Sequence, residues 1–421
     1  MSNKEHISIK CIRCEAMYPK DQVIYRCPRC GGLLDIVMDY DQITERISWE
    51  SLRKKPYYVW RYSELLPVSE KFKISLWEGG TPLYRAERLG RLVGLNNLYV
   101  KFEGANPTGS FKDRGMTVGV TKVRELGIKS VGCASTGNTS ASLAAYSAKA
   151  GLACFVLLPA GKVAMGKLSQ AMLHGANVVA IKGNFDQALS IVERLCLEEG
   201  IYLLNSLNPW RLEGQKTTAY EIVDEMQQVP DRVILPVGNC GNISAIWKGF
   251  KELERVALTE SVPKMTGIQA EGSAPVANMI KKKLETISFV DNPETVATAI
   301  RIGRPVNWPK AVAAIRDSDG TAETVSDDEI IYMQKMLAKL EGIGVEPASA
   351  SSLAGLKKLV EGGVIDKSEV TVCIATGHML KDPQEAIDIA EPVNEFEADI
   401  ERLRIFVESR QGRPVKVAAQ T

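Results

Sequence analysis

From residue 97 to residue 377 the chain alternates short apolar runs with stretches of helical pattern, and this alternation limits its fold more than any other feature. The apolar runs are rich in Val, Ile and Leu and are bounded by Gly, Pro or polar residues, as strands are. Strands that alternate with helices predict an α/β fold with mostly parallel, open sheets. The predicted strands are 97–103, 130–135, 153–159, 177–183, 232–238, 266–272 and 370–377, and the predicted helices include 140–151 and 187–200.

The size and charge of the chain argue against several classes of protein. Its 421 residues are enough for two domains with sizeable cores. Lys and Arg together number 52 and Asp and Glu 51, which disfavours a nucleic-acid-binding or membrane-surface protein. The apolar stretch 151–161 is too short to span a bilayer, and the N-terminus lacks the apolar core of a signal peptide. We therefore expect a cytoplasmic protein.

Four of the nine cysteines form two Cys-x-x-Cys pairs, Cys11 with Cys14 and Cys27 with Cys30. Two such pairs suit a tetrahedral zinc ion of the zinc-ribbon kind. Four thiolates close the coordination shell, so this zinc would be structural rather than catalytic. The alternatives are unliganded thiols or disulfides, and disulfides are rare in cytosolic chains. The remaining cysteines are predicted to be buried thiols: Cys133, Cys154, Cys196, Cys240 and Cys373.

Polar and glycine-rich residues stand at three junctions between a strand and a helix. Ligands of open α/β sheets bind at the carboxyl ends of strands, so these junctions are the expected place for a site. In 134–148 a helix begins among hydroxyl and amide side chains, and its N-terminus can hold a carboxylate or phosphate. The alternative there is ordinary N-capping. The candidate donors are Ser135, Thr136, Asn138 and Thr139.

The second junction, 234–250, has a glycine-containing loop whose backbone amides can surround a phosphate. It lacks the Gly-Lys-Ser/Thr of a Walker loop and the G-x-G-x-x-G of a dinucleotide site, so an ordinary turn is the alternative. In the third junction, 205–217, an arginine and two polar residues can bind an anion jointly. The alternative is an Asn-Pro turn with a solvated arginine. The three residues are Asn205, Ser206 and Arg211.

The stretch SFKDRG, residues 110–115, places Lys112 in a turn that its neighbours are expected to fix. Ser110 is predicted to cap the helix that begins near Lys112, and Asp113 and Arg114 to tie the turn down. Hydrolase chemistry has little support, because the chain has three histidines and no Gly-x-Ser-x-Gly elbow. A fixed lysine beside phosphate-binding loops suits a Schiff base with an aldehyde cofactor that carries a phosphate, namely pyridoxal phosphate.

Six motifs occur along the chain in this order: NPTGSFKDRG, ASTGNTSAS, NSLNPWRLEGQKT, PVGNCGNISAIWKG, ETVATAIRIGRPVNW and ATGHMLKDP. Their order resembles that in the threonine synthases, a family in the fold-type II, tryptophan synthase β-like group of pyridoxal phosphate enzymes. The resemblance covers most of residues 75–383. Serine and threonine dehydratases share the lysine and glycine-loop motifs, whereas NSLNPWRLEGQ and RIGRPVNW resemble the threonine synthases themselves. A zinc ribbon is a feature of only some members, and Met379 stands where the family usually has a smaller residue.

The resemblance implies how the candidate residues would act on the cofactor. Lys112 would hold pyridoxal phosphate as a Schiff base and, once displaced by substrate, would be the general base at the α and β carbons. A buried lysine among cationic and apolar neighbours has a lowered pKa, which suits this work. Asn138 would hydrogen-bond the phenolic oxygen, and Thr376 would face the pyridine nitrogen. The cofactor phosphate would be cradled by the backbone N–H groups of Gly238, Asn239, Cys240, Gly241 and Asn242.

The resemblance also implies a substrate and a reaction. Ser135 and Thr139 would help hold the amino acid, and its phosphate would bind to Asn205, Ser206 and Arg211. The reaction would convert O-phospho-L-homoserine and water to L-threonine and phosphate, by γ-elimination of phosphate and β-addition of water. The partner is then a small-molecule substrate, with no nucleic acid and no membrane. Family members are commonly dimers, so a homodimer is expected.

The implied organisation has four parts. A zinc-ribbon-like module of residues 1–40 precedes a large domain that binds pyridoxal phosphate. A smaller domain is inserted in the large one and would move to close over the substrate. The large domain comprises 41–107 and 209–383, the smaller mobile domain 108–208, and a C-terminal helix and tail 384–421.

Three alternatives remain open at this point. One is β-replacement on phosphoserine, as in a cysteate synthase-like enzyme, and another is a serine or threonine dehydratase. Arg211 argues against a simple dehydratase but not against an enzyme that acts on phosphoserine. The third is a non-catalytic protein that uses its zinc ribbon to bind protein or nucleic acid, and the near-neutral charge disfavours nucleic acid.

Overall fold

The computed structural model describes residues 7–135, 137–159, 165–182, 191, 194–196, 198–390 and 392–410. The strands of this part of the chain form three separate sheets. In chain order they are β1 (Ser8–Cys11), β2 (Met17–Pro19), β3 (Leu34–Val37), β4 (Leu83–Arg85), β5 (Asn97–Phe102), β6 (Ser130–Cys133), β7 (Ala153–Pro159), β8 (Asn177–Ile181), β9 (Tyr202–Leu203), β10 (Arg232–Pro236), β11 (Lys264–Ala270), β12 (Thr321–Val325) and β13 (Val370–Ala375).

The largest sheet has six strands in the order β12-β11-β10-β13-β5-β4. Every pair in it is parallel except β4 with β5, which is antiparallel. All five residues of β10 are buried, as expected of a central strand covered by helices on both faces. The predicted strands in this sheet are confirmed. The sequence did not reveal β4 or β12, because β4 has three residues and β12 reads TAETV, without an apolar run.

The second α/β sheet has four parallel strands in the order β8-β7-β6-β9. Its first three strands in the chain, β6 to β8, were predicted, and β9 was not, since it has two residues. The helix predicted at 187–200 lies largely outside the described residues. Thr136 also lies outside them. Strands from 83–102 and 232–375 thus share one sheet and strands from 130–203 another, while the domain boundaries themselves stay a prediction.

Helices connect most of the strands and cover the sheets. The predicted helix at 140–151 is confirmed, and so is a C-terminal helix, whose predicted tail 411–421 lies outside the described residues. Short 3-10 helices lie at Val59–Leu65, Glu70–Phe72, Glu103–Ala105, Glu271–Ser273, Thr298–Ile300 and Met379–Lys381. The α-helices are α1 (Tyr40–Thr44), α2 (Trp49–Arg53), α3 (Glu87–Val93), α4 (Lys112–Glu125), α5 (Asn138–Ala150), α6 (Met165–Leu173), α7 (Pro209–Gln215), α8 (Thr217–Met226), α9 (Gly241–Arg255), α10 (Pro275–Lys281), α11 (Trp308–Asp317), α12 (Asp327–Glu341), α13 (Pro347–Glu361), α14 (Pro383–Ile389) and α15 (Ile400–Arg410).

Helices α4 and α7 pack with their backbones in close contact. A Cβ atom on Gly214 of α7 would lie 1.7 Å from the backbone oxygen of Arg114 in α4, so only glycine fits there. On the other side of the contact, a Cβ on Gly115 would lie 2.9 Å from the backbone oxygen of Arg211. This close approach brings the first turn of α4, which carries Lys112, next to the helix that carries Arg211.

The N-terminal residues form a small antiparallel sheet in the order β2-β1-β3. Its buried side chains Ile9, Leu34 and Ile36 belong to the same apolar cluster as Met116 of α4 and Trp210 of α7. The small sheet is therefore packed into the body of the protein rather than tethered to it. Among the described helices, none has the length and hydropathy needed to cross a membrane.

Candidate active site

Lys112 is the first residue of α4 and lies beside the end of β13. The segment before it is bound to the segment after that strand, because the N–H of Phe111 donates to the oxygen of Thr376 (3.0 Å) and the N–H of His378 to the oxygen of Gly109 (2.9 Å). The prediction that Ser110 caps α4 is wrong. Phe111 occupies the cap position, and Ser110 instead pairs through its backbone with Gly377.

Asp113 and Arg114 hold this turn as the sequence predicted. Asp113 accepts hydrogen bonds from the N–H and the hydroxyl of Thr108, at 2.7 and 2.6 Å. Arg114 is fully buried and forms ion pairs with Glu103 and Glu221, each at 2.6 Å. Buried, fully paired groups of this kind fix the backbone on either side of Lys112.

The setting of the Lys112 ammonium disfavours its charge on balance. Its Nζ lies 4.1 Å from the centre of the Phe111 ring, a contact that by itself stabilises the charged form. Burial, with a further contribution from the Arg211 guanidinium, lowers the pKa of Lys112 from 10.5 to about 7, although the Glu346 carboxylate opposes the shift. A substantial share of the amine is therefore neutral near pH 7, as a nucleophile toward an aldehyde must be.

This lowered pKa predicts a pH dependence for aldehyde capture by cofactor-free protein. The rate at which Lys112 combines with pyridoxal phosphate should rise with pH up to about 7 and then level off, because above its pKa the amine is already neutral. The readout is the adduct at Lys112, trapped with borohydride and quantified by mass spectrometry. An exposed lysine in the same digest, Lys129, serves as the internal control. A rate at Lys112 that keeps rising to about pH 10, as for an ordinary lysine, would contradict the assignment.

Glu346 is a member of the site that the sequence did not reveal. It is buried, and its carboxylate accepts from Asn138 Nδ2 (2.9 Å) and from the Thr376 hydroxyl (3.1 Å). Thr376 also lies 3.0 Å from the Ser349 hydroxyl. One carboxylate thus joins two side chains that were predicted to contact the cofactor. Burial raises the pKa of Glu346 above its ordinary value, against hydrogen bonds from Asn138 and Thr376 and the nearby charges of Lys381 and Lys112.

The loop before α9 has the form of a phosphate cradle. Cys240 has a left-handed backbone (φ 67°) that turns the chain into α9, whose first residue is Gly241. The first N–H groups of a helix have no intrahelical partners and attract anions. Asn242 is buried, and within the described residues neither polar atom of its side chain has a hydrogen-bond partner. Burial raises the pKa of the Cys240 thiol, so that residue contributes its backbone and not a thiolate.

The rest of the glycine loop is held by the segment before α11. Asn239 accepts from the N–H of Val306 through its side chain (2.6 Å) and from the N–H of Asn307 through its backbone oxygen (3.2 Å). The side-chain amide of Asn307 also donates to the backbone oxygen of Ser206 (2.8 Å). Gly238 packs against Ile300. Asn307 therefore connects the loop predicted for the cofactor phosphate with the one predicted for the substrate phosphate.

Arg211 lies in α7 with 1% of its surface exposed, and it is not solvated as the alternative to an anion site would require. Within the described part of the chain, none of its three guanidinium nitrogens has a hydrogen-bond partner. Burial lowers the pKa of Arg211 to about 10. Because an unpaired buried charge is costly, a guanidinium held in this state is suited to an anionic ligand.

The remaining predicted substrate residues lie at the ends of β6 and β9. Asn205 accepts from the N–H of Ala134 (2.9 Å), which ties the two strand ends together. Ser135 accepts from the N–H of Gly137 (3.3 Å) just before α5, where Thr139 is buried. Ser206 is half-buried. The two junctions that the sequence singled out in this sheet are thus adjacent.

The four cysteines of the small sheet form a separate cluster. Their sulfur atoms all lie within 4.8 Å of one another, with Cys11 and Cys30 at 3.5 Å and Cys14 and Cys27 at 3.6 Å. This set of four sulfurs in two tight turns fits a tetrahedral zinc ion and leaves no ligand position for a substrate. The other five cysteines are buried, as predicted.

The groups around Lys112 fit pyridoxal phosphate. A lysine with a lowered pKa can capture the aldehyde, the start of α9 can receive the phosphate, and the unpaired Asn242 side chain lies at that helix terminus. Asn138 and Thr376 provide neutral polar groups bound to Glu346, the carboxylate whose charge acts on the pKa of Lys112. Met379 is 40% exposed, and its N–H donates to the oxygen of Gly344 (3.2 Å).

Comparison with known proteins agrees with this chemistry. The family described as "Pyridoxal-phosphate dependent enzyme" matches residues 74–377. Threonine synthase of Methanosarcina acetivorans is 59% identical over 94% of this chain and 97% of that protein. Threonine synthase of Methanocaldococcus jannaschii is 61% identical over 94% of this chain and 98% of that protein.

A solved structure supports the fold. Threonine deaminase isoform 2 of Solanum lycopersicum superposes with a TM-score of 0.65 and 21% identity, over 80% of this chain and 95% of that one. At this identity the likeness concerns architecture alone. From the family match and from identities that extend over nearly the whole chain, it follows that the chain belongs to the threonine synthase family of pyridoxal-phosphate-dependent enzymes.

Proposed function

We propose that this chain converts O-phospho-L-homoserine and water to L-threonine and phosphate. The observation that carries the proposal is Arg211, a buried guanidinium without a partner in the described part of the chain, held on a helix packed against that of Lys112. The substrates of a dehydratase, serine and threonine, have no phosphate that could pair with this charge. A substrate with a terminal phosphate can pair with it.

Lys112 is proposed to carry the covalent link to the cofactor and then to move protons. Bound pyridoxal phosphate supplies an electron sink for the negative charge that develops when protons leave the substrate carbons. The amine of Lys112, with its pKa near 7, can take a proton from the α or β carbon and return it within the same site. Burial and the Arg211 charge, which lower this pKa, favour the neutral amine that is needed before each proton is removed.

Asn138, Thr376 and Glu346 are proposed to orient the cofactor ring. Thr376 would place a neutral hydroxyl, and no carboxylate, at the pyridine nitrogen, which favours elimination over transamination. The hydrogen bonds of Glu346 to Asn138 and Thr376 would fix both side chains in the orientation that the ring requires. The phosphate of the cofactor would be held by the backbone N–H groups of residues 238–242.

The substrate phosphate is proposed to bind Arg211 together with Asn205 and Ser206, and the amino acid end to bind Ser135 and Thr139. The departing phosphate would remain beside Arg211 while water adds at the β carbon. We also propose that residues 108–208 form a smaller domain that closes on the large domain, 41–107 and 209–383, when phosphate binds. Closure would exclude water until the γ carbon has lost its phosphate.

Residues 1–40 are proposed to bind one structural zinc ion through Cys11, Cys14, Cys27 and Cys30. We expect Cys14→Ser with Cys30→Ser to reduce zinc from about one per chain to near zero and to lower the melting temperature by about 5 °C or more, since metal binding stabilises the fold that forms the site. Elemental analysis and calorimetry measure the two effects. Cys154→Ala removes a buried thiol elsewhere and should leave the zinc content unchanged. Full stability without zinc would contradict a structural role.

We propose that the protein is cytoplasmic and forms a homodimer. The balanced charge of the sequence supports the location, and the dimeric state common among members of the family supports the dimer. Light scattering of the purified protein checks the oligomeric state directly.

Product analysis tests the proposed reaction against its alternatives. The protein is incubated separately with O-phospho-L-homoserine, O-phospho-L-serine and L-threonine, and the amino acids, keto acids and phosphate are quantified. We expect threonine and phosphate in equal amounts from the first compound and slow or no turnover of the others. Phosphate release from phosphoserine alone would favour the β-replacement enzyme, and keto acid from threonine alone would favour a dehydratase.

A further inference from the structure

The small N-terminal sheet makes polar contacts with elements that carry or adjoin the proposed phosphate sites. Residues 7–37, here called the ribbon, reach α4, β9, α9 and α11 through polar side chains. Asp21 pairs with Lys122 of α4 at 2.8 Å, and Lys310 of α11 donates to the oxygen of Leu34 at 2.7 Å. A module that served only as an independent binding unit would not need polar contacts with four elements of the catalytic body.

The first of two routes to Arg211 runs through Tyr25. The hydroxyl of Tyr25 accepts a hydrogen bond from the N–H of Leu203 at 2.7 Å. Leu203 lies in β9, the edge strand of its sheet, and β9 pairs on its other side with β6. Tyr25 therefore occupies the open edge of the strand that leads directly to Asn205 and Ser206, and its ring packs edge-on against Tyr202 at 5.8 Å.

Hydrogen bonds continue from Leu203 to the helix of Arg211. The oxygen of Leu203 accepts from the side-chain amide of Asn208 at 2.9 Å. Asn208 is the N-cap of α7 and accepts from the N–H of Trp210 at 3.0 Å. Both backbone polar groups of Leu203 are thus occupied, one by the ribbon and the other by the cap of α7. A shift of Tyr25 would move β9 and the start of α7 together.

The second route runs through Asp35 and a set of buried charges. Asp35 pairs with Lys248 of α9 at 3.0 Å, and Lys248 pairs with Glu213 of α7 at 2.6 Å. Glu213 lies two residues from Arg211, and α9 begins at the glycine loop. Asp35 therefore fixes the lysine that joins the helix of the cofactor phosphate to the helix of the substrate phosphate.

We propose that the ribbon positions the substrate-phosphate site, with Tyr25 and Asp35 as positioning residues that act through Leu203 and Lys248 on Asn205, Ser206 and Arg211. The inference rests on the proposed role of Arg211 in binding the substrate phosphate. It assigns to residues 7–37 a part in substrate affinity beyond the stability that a zinc site provides.

Two conservative variants of the holoenzyme test this proposal. Tyr25→Phe keeps the ring and removes the acceptor for the Leu203 N–H, and Asp35→Asn keeps the shape and removes the charge beside Lys248. We expect each to raise KM for O-phospho-L-homoserine and the Kd of inorganic phosphate about tenfold, because a partly buried group loses its partner. The value of kcat, the affinity for pyridoxal phosphate and the zinc content should stay within about twofold, since the residues touch neither cofactor nor reacting carbons.

Matched controls separate this role from general destabilisation. Tyr332→Phe removes a hydroxyl from an exposed tyrosine of α12, and Glu15→Gln removes the charge of an exposed ribbon carboxylate that pairs with Lys10. Both should leave phosphate affinity unchanged. If Tyr25→Phe and Asp35→Asn bind phosphate as the unmodified protein does, or lose cofactor affinity and kcat in the same proportion, the proposal is overturned.

The phosphate titration also separates this inference from the proposed function. Unmodified protein that binds phosphate but makes no threonine would refute the reaction, while a tenfold loss of phosphate affinity in Tyr25→Phe would still support the ribbon's role. Unmodified protein that makes threonine, with variants of unchanged KM and Kd, would refute the ribbon's role alone.

Discussion

Replacement of Lys112 with alanine is expected to lower the rate of threonine formation by about 10⁴-fold or more, because one side chain supplies both the covalent link and the proton transfers. Without its amine the site cannot hold the cofactor aldehyde, although the phosphate cradle at α9 is unchanged. The variant protein should therefore still bind pyridoxal phosphate weakly and reversibly, and borohydride should fix none of it to the chain.

The measurement combines initial rates with mass spectrometry of the borohydride-treated protein. Lys129→Ala, an exposed lysine before β6, is the matched control and should keep both activity and adduct. The lowered pKa of Lys112 is also removed in the variant, so the pH dependence of aldehyde capture near pH 7 should disappear with it. An adduct of equal yield in Lys112→Ala would place the reactive amine elsewhere.

Arg211→Met is expected to have the second largest effect, with opposite consequences for binding and stability. Loss of the guanidinium should raise the Kd of inorganic phosphate and KM for phosphohomoserine about a hundredfold or more, because the anion loses its buried positive partner. In ligand-free protein the same change should raise the free energy of unfolding by about 1–3 kcal/mol, since an unpaired buried donor is replaced by an apolar side chain of similar length. Calorimetry without and with phosphate resolves the two effects.

Arg211→Lys is the control for that experiment. It keeps the charge and loses the planar fork, so phosphate affinity should fall about tenfold rather than a hundredfold. If Arg211→Met destabilised the ligand-free protein and left phosphate affinity unchanged, Arg211 would have a structural function and the substrate-phosphate site would lie elsewhere.

The sequence predicted those parts of the protein whose signals are local. Apolar runs identified β5, β6, β7, β8, β10, β11 and β13, and the stretch SFKDRG identified the lysine with the lowered pKa. The strands β4 and β9 have three and two residues, and β12 lacks an apolar run, so in all three burial and pairing with neighbouring strands outweigh propensity. The prediction that Ser110 caps α4 was wrong because the backbone of Ser110 pairs with Gly377, a contact between distant parts of the chain.

Residues that act through distant contacts were missed for the same reason. Glu346 lies 208 positions from Asn138, and in the sequence a glutamate before Pro347 reads as an ordinary helix start. Asn307 joins two loops that belong to different motifs, and Tyr25 reaches β9 from 178 positions away. Arg211 is buried and, within the described part of the chain, without a partner, and this state arises only when α4 and α7 pack.

Isotope labelling of the products tests the central claim most directly. The protein is incubated with O-phospho-L-homoserine in water enriched in ¹⁸O, and threonine and phosphate are analysed by mass spectrometry. Elimination at the γ carbon followed by addition of water at the β carbon predicts threonine with one ¹⁸O in its hydroxyl and phosphate that has gained none. Homoserine together with ¹⁸O-labelled phosphate, or no threonine at all, would contradict the account.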